Sequence, residues 1–138
     1  MAVNIGNRVD PFLLKRTNGR LGIFFGQSVG LLFTVGAKSG QARETPLLYT
    51  PDGERILLVA SNAGSSRHPA WYHNLRANPE VEFLPRGGPR GPYRARELSG
   101  AERDDAWAKV NDMYIGYEGY QRRTGGRRIP VIALDPAA

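Results

Sequence analysis

The sequence predicts an α+β domain built around an antiparallel barrel or sheet. Three observations carry this expectation. Short apolar runs bounded by turn residues recur along the chain, which is the mark of successive strands. Helix signals are fewer and fall between those runs. A length of 138 residues, with no internal repeat and no linker, suits one domain with one core, spanning 1–138.

The elements follow in order. Asp10-Pro11 reads as a helix start, with Asp as cap and Pro in the first turn. Phe12 and Leu13 are its apolar residues and Asn18-Gly19 stops it, so residues 1–20 form an N-terminal helical segment packed on the domain. A helix lying on a membrane surface is the alternative for this segment. Leu31-Leu32-Phe33-Thr34-Val35 is a buried strand, and residues 43–50 form a second after a tight connection. Pro51-Asp52-Gly53-Glu54 is turn chemistry, and residues 55–60 resume as a strand, which makes a meander. His68-Pro69 opens a helix that Pro79 ends after Asn78. Residues 81–84 are a strand, 85–92 a Gly/Pro/Arg-rich loop, and 93–98 an alternating strand. Ser99-Gly100-Ala101-Glu102 has the spacing of a capping box, and the helix behind it places Ala106, Trp107, Val110 and Met113 on one face. Residues 129–134 form the last strand.

Composition narrows the chemistry. There is no cysteine, which excludes disulfides, thiolate metal sites and a thiol nucleophile. Redox chemistry would need a bound cofactor, since no remaining side chain readily takes up a hydride. Lys and Arg number 19 against 13 acidic residues, a formal charge of +6, which favours an anionic partner. Nucleic acid, acidic lipid and a phosphorylated cofactor all qualify. No apolar run approaches the roughly 20 residues of a membrane helix. The N-terminus lacks a secretory pattern, so the cytoplasm is the expected location.

Several constellations could carry function. In Gly36-Ala37-Lys38-Ser39-Gly40-Gln41-Ala42-Arg43, glycines allow backbone N–H groups close to an anion, and Lys38 and Arg43 add charge. The Walker A order is absent, because Gly follows Lys-Ser instead of preceding it, and a solvated hairpin turn has the same pattern. In residues 60–69, a strand runs through small polar residues into a helix start, where unpaired N–H groups suit ring carbonyls or phosphates. A plain strand–helix connection reads the same way. Trp71 and Tyr72 sit at helical spacing, where core is the commoner role. His68 and His73 are five apart, share no helix face and lack carboxylates in a ligand pattern, so no metal site is expected. Tyr114, Tyr117 and Tyr120 recur every third residue with Gly116 and Gly119 between them, as in a lid over a pocket or a partly buried aromatic edge. Arg86, Arg90, Arg94 and Arg96 surround a Gly/Pro loop, and Arg122, Arg123, Arg127 and Arg128 surround Gly125-Gly126. Such patches can bind RNA backbone, but no RNA-binding signature accompanies them, and a solvated basic face is the expectation.

These segments, taken in order, resemble the deazaflavin-dependent nitroreductases of actinobacteria, which use coenzyme F420. The resemblance runs from about Leu31 to Pro136. It rests on the loop 36–43, on Thr45-Pro46-Leu47-Leu48-Tyr49, on Val59-Ala60-Ser61-Asn62-Ala63-Gly64, and on His68-Pro69-Ala70-Trp71-Tyr72-His73-Asn74-Leu75-Arg76-Ala77-Asn78-Pro79. Tyr117-Glu118-Gly119-Tyr120-Gln121 and Arg128-Ile129-Pro130-Val131 complete it. It implies a split β-barrel like that of FMN-binding oxidoreductases, with the deazaflavin in a groove.

By the same resemblance, Ala37, Lys38, Ser39, Arg43 and Glu44 belong to the binding loop for the phosphate and polyglutamate tail. Thr45, Pro46, Ala60, Ser61, Asn62 and Ala63 line the ring system, and Trp71 and Asn74 stand on the helix beside it. Leu48, Ala70, Tyr114, Tyr117 and Tyr120 shape the substrate pocket. Where the family loop usually has Gly-Arg-Lys, this chain has Ala37 in place of the Arg. The implied activity is transfer of a hydride from reduced F420 to a nitroaromatic, a quinone or a conjugated enone. Tyr117 is the first choice of proton donor, with Ser61 as a second catalytic candidate. The alternatives are an FMN-dependent reductase of the same barrel class, a non-catalytic F420 carrier, and a basic RNA-binding domain. Barrels of this kind often pair, so a homodimer is compatible with the resemblance. Nucleic acid is not an expected partner.

Overall fold

The computed structural model describes residues 28–114 and 116–137. The N-terminal helical segment expected over 1–20 lies outside them. The strands are β1 (Val29–Val35), β2 (Ala42–Leu48), β3 (Thr50–Asp52), β4 (Arg55–Val59), β5 (Glu80–Leu84), β6 (Gly91–Glu97) and β7 (Val131–Pro136). The helices are α1 (Ala70–Ala77), α2 (Gly100–Met113) and α3 (Gly116–Arg123), with one 3-10 turn at Asn62–Gly64.

All seven strands join one antiparallel sheet in the order β2-β1-β5-β6-β7-β4-β3. Its two edge strands, β2 and β3, are separated in sequence by Tyr49 alone. A flat sheet would hold those edges at opposite ends, so the sheet curls until they meet. The result is a half-barrel with a split between β2 and β3, as the sequence predicts.

Tyr49 seats the junction. Its N–H donates to the Ser28 carbonyl at 3.0 Å, and its hydroxyl accepts from the Arg86 N–H at 2.9 Å. Its ring stands edge-on to Phe83, with centroids 5.2 Å apart.

Side-chain alternation divides the core. Ile56 and Leu58 of β4, with Ile132 and Leu134 of β7, point into the barrel and meet Leu32, Phe83, Trp71 and Tyr72. The intervening Leu57, Val59, Val131 and Ala133 point outward, where Ala106 and Val110 of α2 and Tyr117 of α3 cover them. Strands β4 and β7 are therefore buried on both faces, which explains why they read as continuous apolar runs.

Four local expectations change. The strand expected over 43–50 breaks at Tyr49, where the chain passes between sheet edges, and Pro51 and Asp52 belong to β3 instead of the turn. Strand β1 begins at Val29 and β7 runs to Pro136, because their partners extend the ladder. The capping box does not form. Ser99 makes no side-chain cap, and Glu102 accepts instead from Arg96 at 2.8 and 2.9 Å and from Arg55 at 3.0 Å. Two guanidinium groups outcompete one backbone N–H for a carboxylate.

Helix α2 is also rotated from its predicted face: Met113 is 45% exposed and Arg103 is 8% exposed. The Arg103 guanidinium donates to the Ile129 carbonyl at 2.7 Å and lies over the Trp107 ring, so its burial satisfies a carbonyl.

Gly30 tests the β1–β5 packing, since a Cβ there would stand 2.5 Å from the Phe83 ring and 2.7 Å from the Leu84 carbonyl oxygen. Gly30→Ala is expected to destabilise the protein by about 1–3 kcal/mol through overpacking. The urea midpoint should fall with the slope unchanged, and an unmoved midpoint would contradict this register.

Candidate active site

The β1–β2 connection is a tight loop closed by Gly36 N–H donating to the Gln41 carbonyl at 2.8 Å and Gly40 N–H donating to the Gly36 carbonyl at 3.0 Å. Gly40 has φ +71°, the left-handed region that a side chain would strain. Inside the loop, Ser39 Oγ accepts from the Gln41 N–H at 3.2 Å and from the Arg43 guanidinium at 3.4 Å. A second Arg43 nitrogen donates to Gln41 Oε1 at 3.3 Å. Arg43 thus folds along the loop, while Lys38 is exposed at its tip.

Helix α1 holds this loop through one amide. Asn74 Oδ1 accepts the Ala37 N–H at 2.9 Å, and Asn74 Nδ2 donates to Thr34 Oγ1 at 3.3 Å. Asn74 therefore shapes the cradle with both ends of its amide already engaged. Glu44 is exposed on β2, whereas Thr45 and Pro46 are buried opposite Leu32 and Leu31.

The second wall begins where β4 ends. Ala60 and Ser61 are fully buried. Asn62 at φ 48° and Ala63 at φ 55° then take left-handed backbone, which is uncommon for residues other than glycine. Strain of this kind clusters at binding sites.

Three buried polar atoms here have no partner among the described residues: Ser61 Oγ, Asn62 Oδ1 and Trp71 Nε1. Unsatisfied buried polar atoms are costly and rare. Serine can donate and accept, the Asn oxygen accepts and the indole donates, a set that fits the mixed carbonyl and N–H edge of a deazaflavin ring. Asn74 of α1 bonds the loop, and Trp71 of the same helix shares the inner core cluster with Ala60, just ahead of the turn.

The third wall is α3. Tyr114 and Tyr120 share a hydrogen bond between hydroxyls at 3.0 Å, and both rings pack on Tyr117. Tyr117 is 3% exposed, inside the outer core cluster. Burial pushes its pKa well above the ordinary tyrosine value, with further pressure from Tyr114 and Tyr120. Tyr114 is pushed up to about 12 by burial and then by its bond to Tyr120. Tyr114 and Tyr117 therefore stay protonated. Helix α3 packs against the Asn62–Gly64 turn at Gly64, where a Cβ would lie 3.0 Å from Arg123 Cβ and 3.1 Å from the Tyr120 carbonyl oxygen.

A cavity of about 570 Å³ opens elsewhere, along β1, β2, β5 and β6. Its lining shares Ala42, Arg43 and Glu44 with the loop segment but adds Glu80 and Glu82 and includes none of residues 60–63, 71 or 74. Three carboxylates suit an acidic cofactor tail poorly, so the loop and turn, not this cavity, make the candidate site.

The structure brings together, around α1, the predicted loop residues and the turn Ser61-Asn62-Ala63, and packs the tyrosine helix against that turn. It leaves Leu48 half-buried in the cluster of Val29 and Leu31 on the β1–β2 hairpin, and Ala70 exposed at the first turn of α1.

Of the eight arginines expected to form a solvated basic face, Arg90 and Arg96 have carboxylate partners among the described residues. Arg90 bonds Glu82 and lies over Phe33, and Arg96 bonds Glu102 and Asp135. Arg127 points into the protein. It was visible in the sequence only as one of a charged cluster, because the carbonyls it meets are distant in sequence.

Among the described residues no group of His, Asp or Glu is placed to hold a metal ion, and no helix is long and apolar enough to cross a membrane.

The comparisons agree with the geometry. The chain matches the family described as F420H(2)-dependent quinone reductase over residues 7–136. It is 42% identical over 132 residues to an F420H(2)-dependent quinone reductase of Mycobacterium tuberculosis, covering 92% of this chain and 87% of that protein. A solved F420-H2 dependent reductase (FDR-A) is 37% identical, with a TM-score of 0.66 over 78% of this chain and 93% of its own. A structure described as a domain-swapped dimer is 32% identical, with a TM-score of 0.67 over 91% of this chain and all of its own (100%).

Two predictions follow from the geometry. Asn74→Ala removes the amide that ties α1 to the loop and is expected to cost about 1 kcal/mol in a urea melt, with faster amide exchange at Ala37.

The second concerns His68, whose pKa is lowered from 6.5 by burial first and then by Arg127. As pH falls, the unfolded chain takes the proton before the folded one. Stability from this ring is full above 6.5, declines as pH drops from there through the folded-state value, and levels off below it. Thermal melts across that range should show the decline, and His68→Asn, which keeps an acceptor near Nδ1, should remove it.

Proposed function

From membership of the F420H(2)-dependent quinone reductase family, to which this chain belongs, we propose how an F420-dependent oxidoreductase is assembled from these residues. The reading places the ring against the turn Ser61-Asn62-Ala63 and Trp71, and the acidic tail along Lys38, Ser39 and Arg43. The observation that carries it is a left-handed turn whose Ser61 Oγ and Asn62 Oδ1, like Trp71 Nε1 on the helix that follows, are buried without a partner among the described residues.

Reduced F420, when bound, supplies a hydride. The work left to the chain is to bind, orient and exclude water. Ser61 Oγ, Asn62 Oδ1 and Trp71 Nε1 fix the ring's edge. Lys38 and Arg43 meet negative charge with positive charge and hydrogen-bond donors. Ala37 contributes its N–H to Asn74 and no charge, so Lys38 and Arg43 are the two cations of this loop. Tyr114 and Tyr120, their hydroxyls bonded to each other, form the partly buried rim of an aromatic wall, with Tyr117 packed beneath them. A donor is needed because negative charge builds on an acceptor as the hydride arrives.

A quinone is the first acceptor we assign, and nitroaromatics and conjugated enones share the electron-poor character that the same wall would serve. Tyr117 keeps its assignment as donor, held protonated by its burial. The RNA-binding alternative loses support from the ion pairs that engage Arg55, Arg90 and Arg96. We extend pairing into a homodimer to this chain from its likeness to the domain-swapped dimer, and we place the protein in the cytoplasm.

The test is a titration of tryptophan fluorescence with F420, FMN and RNA, followed by turnover with a panel of quinones, nitroaromatics and enones. Quenching by F420 alone, with oxidation of its reduced form by a quinone, is the expected result. Quenching by FMN alone, or RNA binding that collapses with salt, would replace this reading. Lys38→Ala should weaken F420 binding by about tenfold, as for a hydrogen bond to a charged group. It should leave kcat unchanged, and the defect should vanish with a ring fragment that lacks the tail. Tyr117→Phe should lower kcat by at least about tenfold while sparing cofactor affinity, and unchanged turnover would remove Tyr117 from its role.

A further inference from the structure

We propose that Arg127 is a positioning residue that fixes the spacing between the turn at Ser61-Asn62-Ala63 and the tyrosine wall of α3. The inference rests on the functional reading above and concerns how its two walls are held.

The guanidinium has five N–H groups, and each has an acceptor. Nε donates to the Ser65 carbonyl at 3.0 Å. One terminal nitrogen donates to the Ala60 carbonyl at 3.0 Å and to His68 Nδ1 at 2.9 Å. The other donates to the Ser61 carbonyl at 2.7 Å and the Ser65 carbonyl at 2.9 Å. His68 therefore accepts at Nδ1 and carries its proton on Nε2. No carboxylate is among the side-chain partners of Arg127 in the described residues. The group serves as a template for backbone and not as a counter-ion.

The other end of Arg127 is tied to α3. Its carbonyl accepts from Gln121 Nε2 at 2.7 Å and from Thr124 Oγ1 at 2.8 Å. Gln121 Oε1 in turn accepts the Ile129 N–H at 2.9 Å, just ahead of β7. One residue thus joins the helix that carries Tyr117 and Tyr120 to the loop that carries Ser61 and Asn62. Gly64, in close approach to Tyr120 and Arg123, forms a second contact between the same two walls.

With every donor engaged in protein contacts, Arg127 has none left for substrate, so its effect is through position. Lysine cannot replace it. An ammonium presents three donors from one point, whereas the planar fork reaches the carbonyls of residues 60, 61 and 65 together.

The experiment compares the full-length protein with Arg127→Lys and Arg127→Met, each first shown to be folded by a cooperative melt. Without cofactor, hydrogen exchange at the amides of residues 61–67 should quicken by at least about tenfold in both variants, as local opening becomes easier. With cofactor, kcat should fall by at least about tenfold, in keeping with the cost of small misplacements. F420 affinity, dominated by the tail loop, should change by less than about threefold.

Faster exchange with unchanged kcat would overturn the proposal. So would recovery of both exchange and kcat by Lys, because charge alone would then suffice. Failure of the unmodified protein to oxidise reduced F420 with any acceptor would overturn the functional reading and this inference with it. That outcome is distinct, because it is seen before any variant is made.

Discussion

Strands β2 and β3 are opposite edges of one seven-stranded sheet, and a single residue, Tyr49, separates them in the chain. That connectivity forces the sheet to curl, and the curl produces an inside and an outside. Both faces of β4 and β7 are then buried, the inner against Phe83, Trp71 and Tyr72 and the outer against α2 and α3. Helices on the outer face leave the split and its flanking loops as the places where backbone groups and small side chains can meet a ligand.

The candidate site sits where β4 leaves this sheet. The carbonyls of the buried Ala60 and Ser61 and of the exposed Ser65 fall beyond the strand, where they need other donors. The Arg127 guanidinium supplies them from across the fold. Asn74 does similar work on the other wall with both ends of its amide. Backbone that is so fully supported can hold Asn62 and Ala63 in left-handed conformations, while Ser61 Oγ, Asn62 Oδ1 and Trp71 Nε1 have no partner among the described residues.

The net charge of +6 has a similar division of labour. Arg55, Arg90, Arg96 and Lys109 are occupied by Asp52, Glu82, Glu102, Asp105 and Asp135. Exposed pairs of this kind contribute little stability each. They do tie α2 to the β3–β4 hairpin, through Arg55–Glu102 and Lys109–Asp52. At the candidate loop, Arg43 bonds to Ser39 and Gln41, with no carboxylate among those partners.

Most strands, the helices after Pro69 and Ser99, and the α+β class were legible because alternation, turn residues and helix stops are local signals. The family resemblance was legible for the same reason, as ordered segments along one chain. The capping box failed because Glu102 had distant competitors in Arg55 and Arg96. The face of α2 was misjudged because Arg103 is buried by a carbonyl from residue 129. By itself the sequence determined the class and, through the family resemblance, the kind of cofactor, both of which rest on residues that are neighbours in the chain. Only the tertiary structure decided that Asn74 grips the loop, that Tyr117 lies in the core and that Arg127 spans two walls. Each of those depends on hydrogen bonds or burial between residues tens of positions apart, which no local pattern encodes.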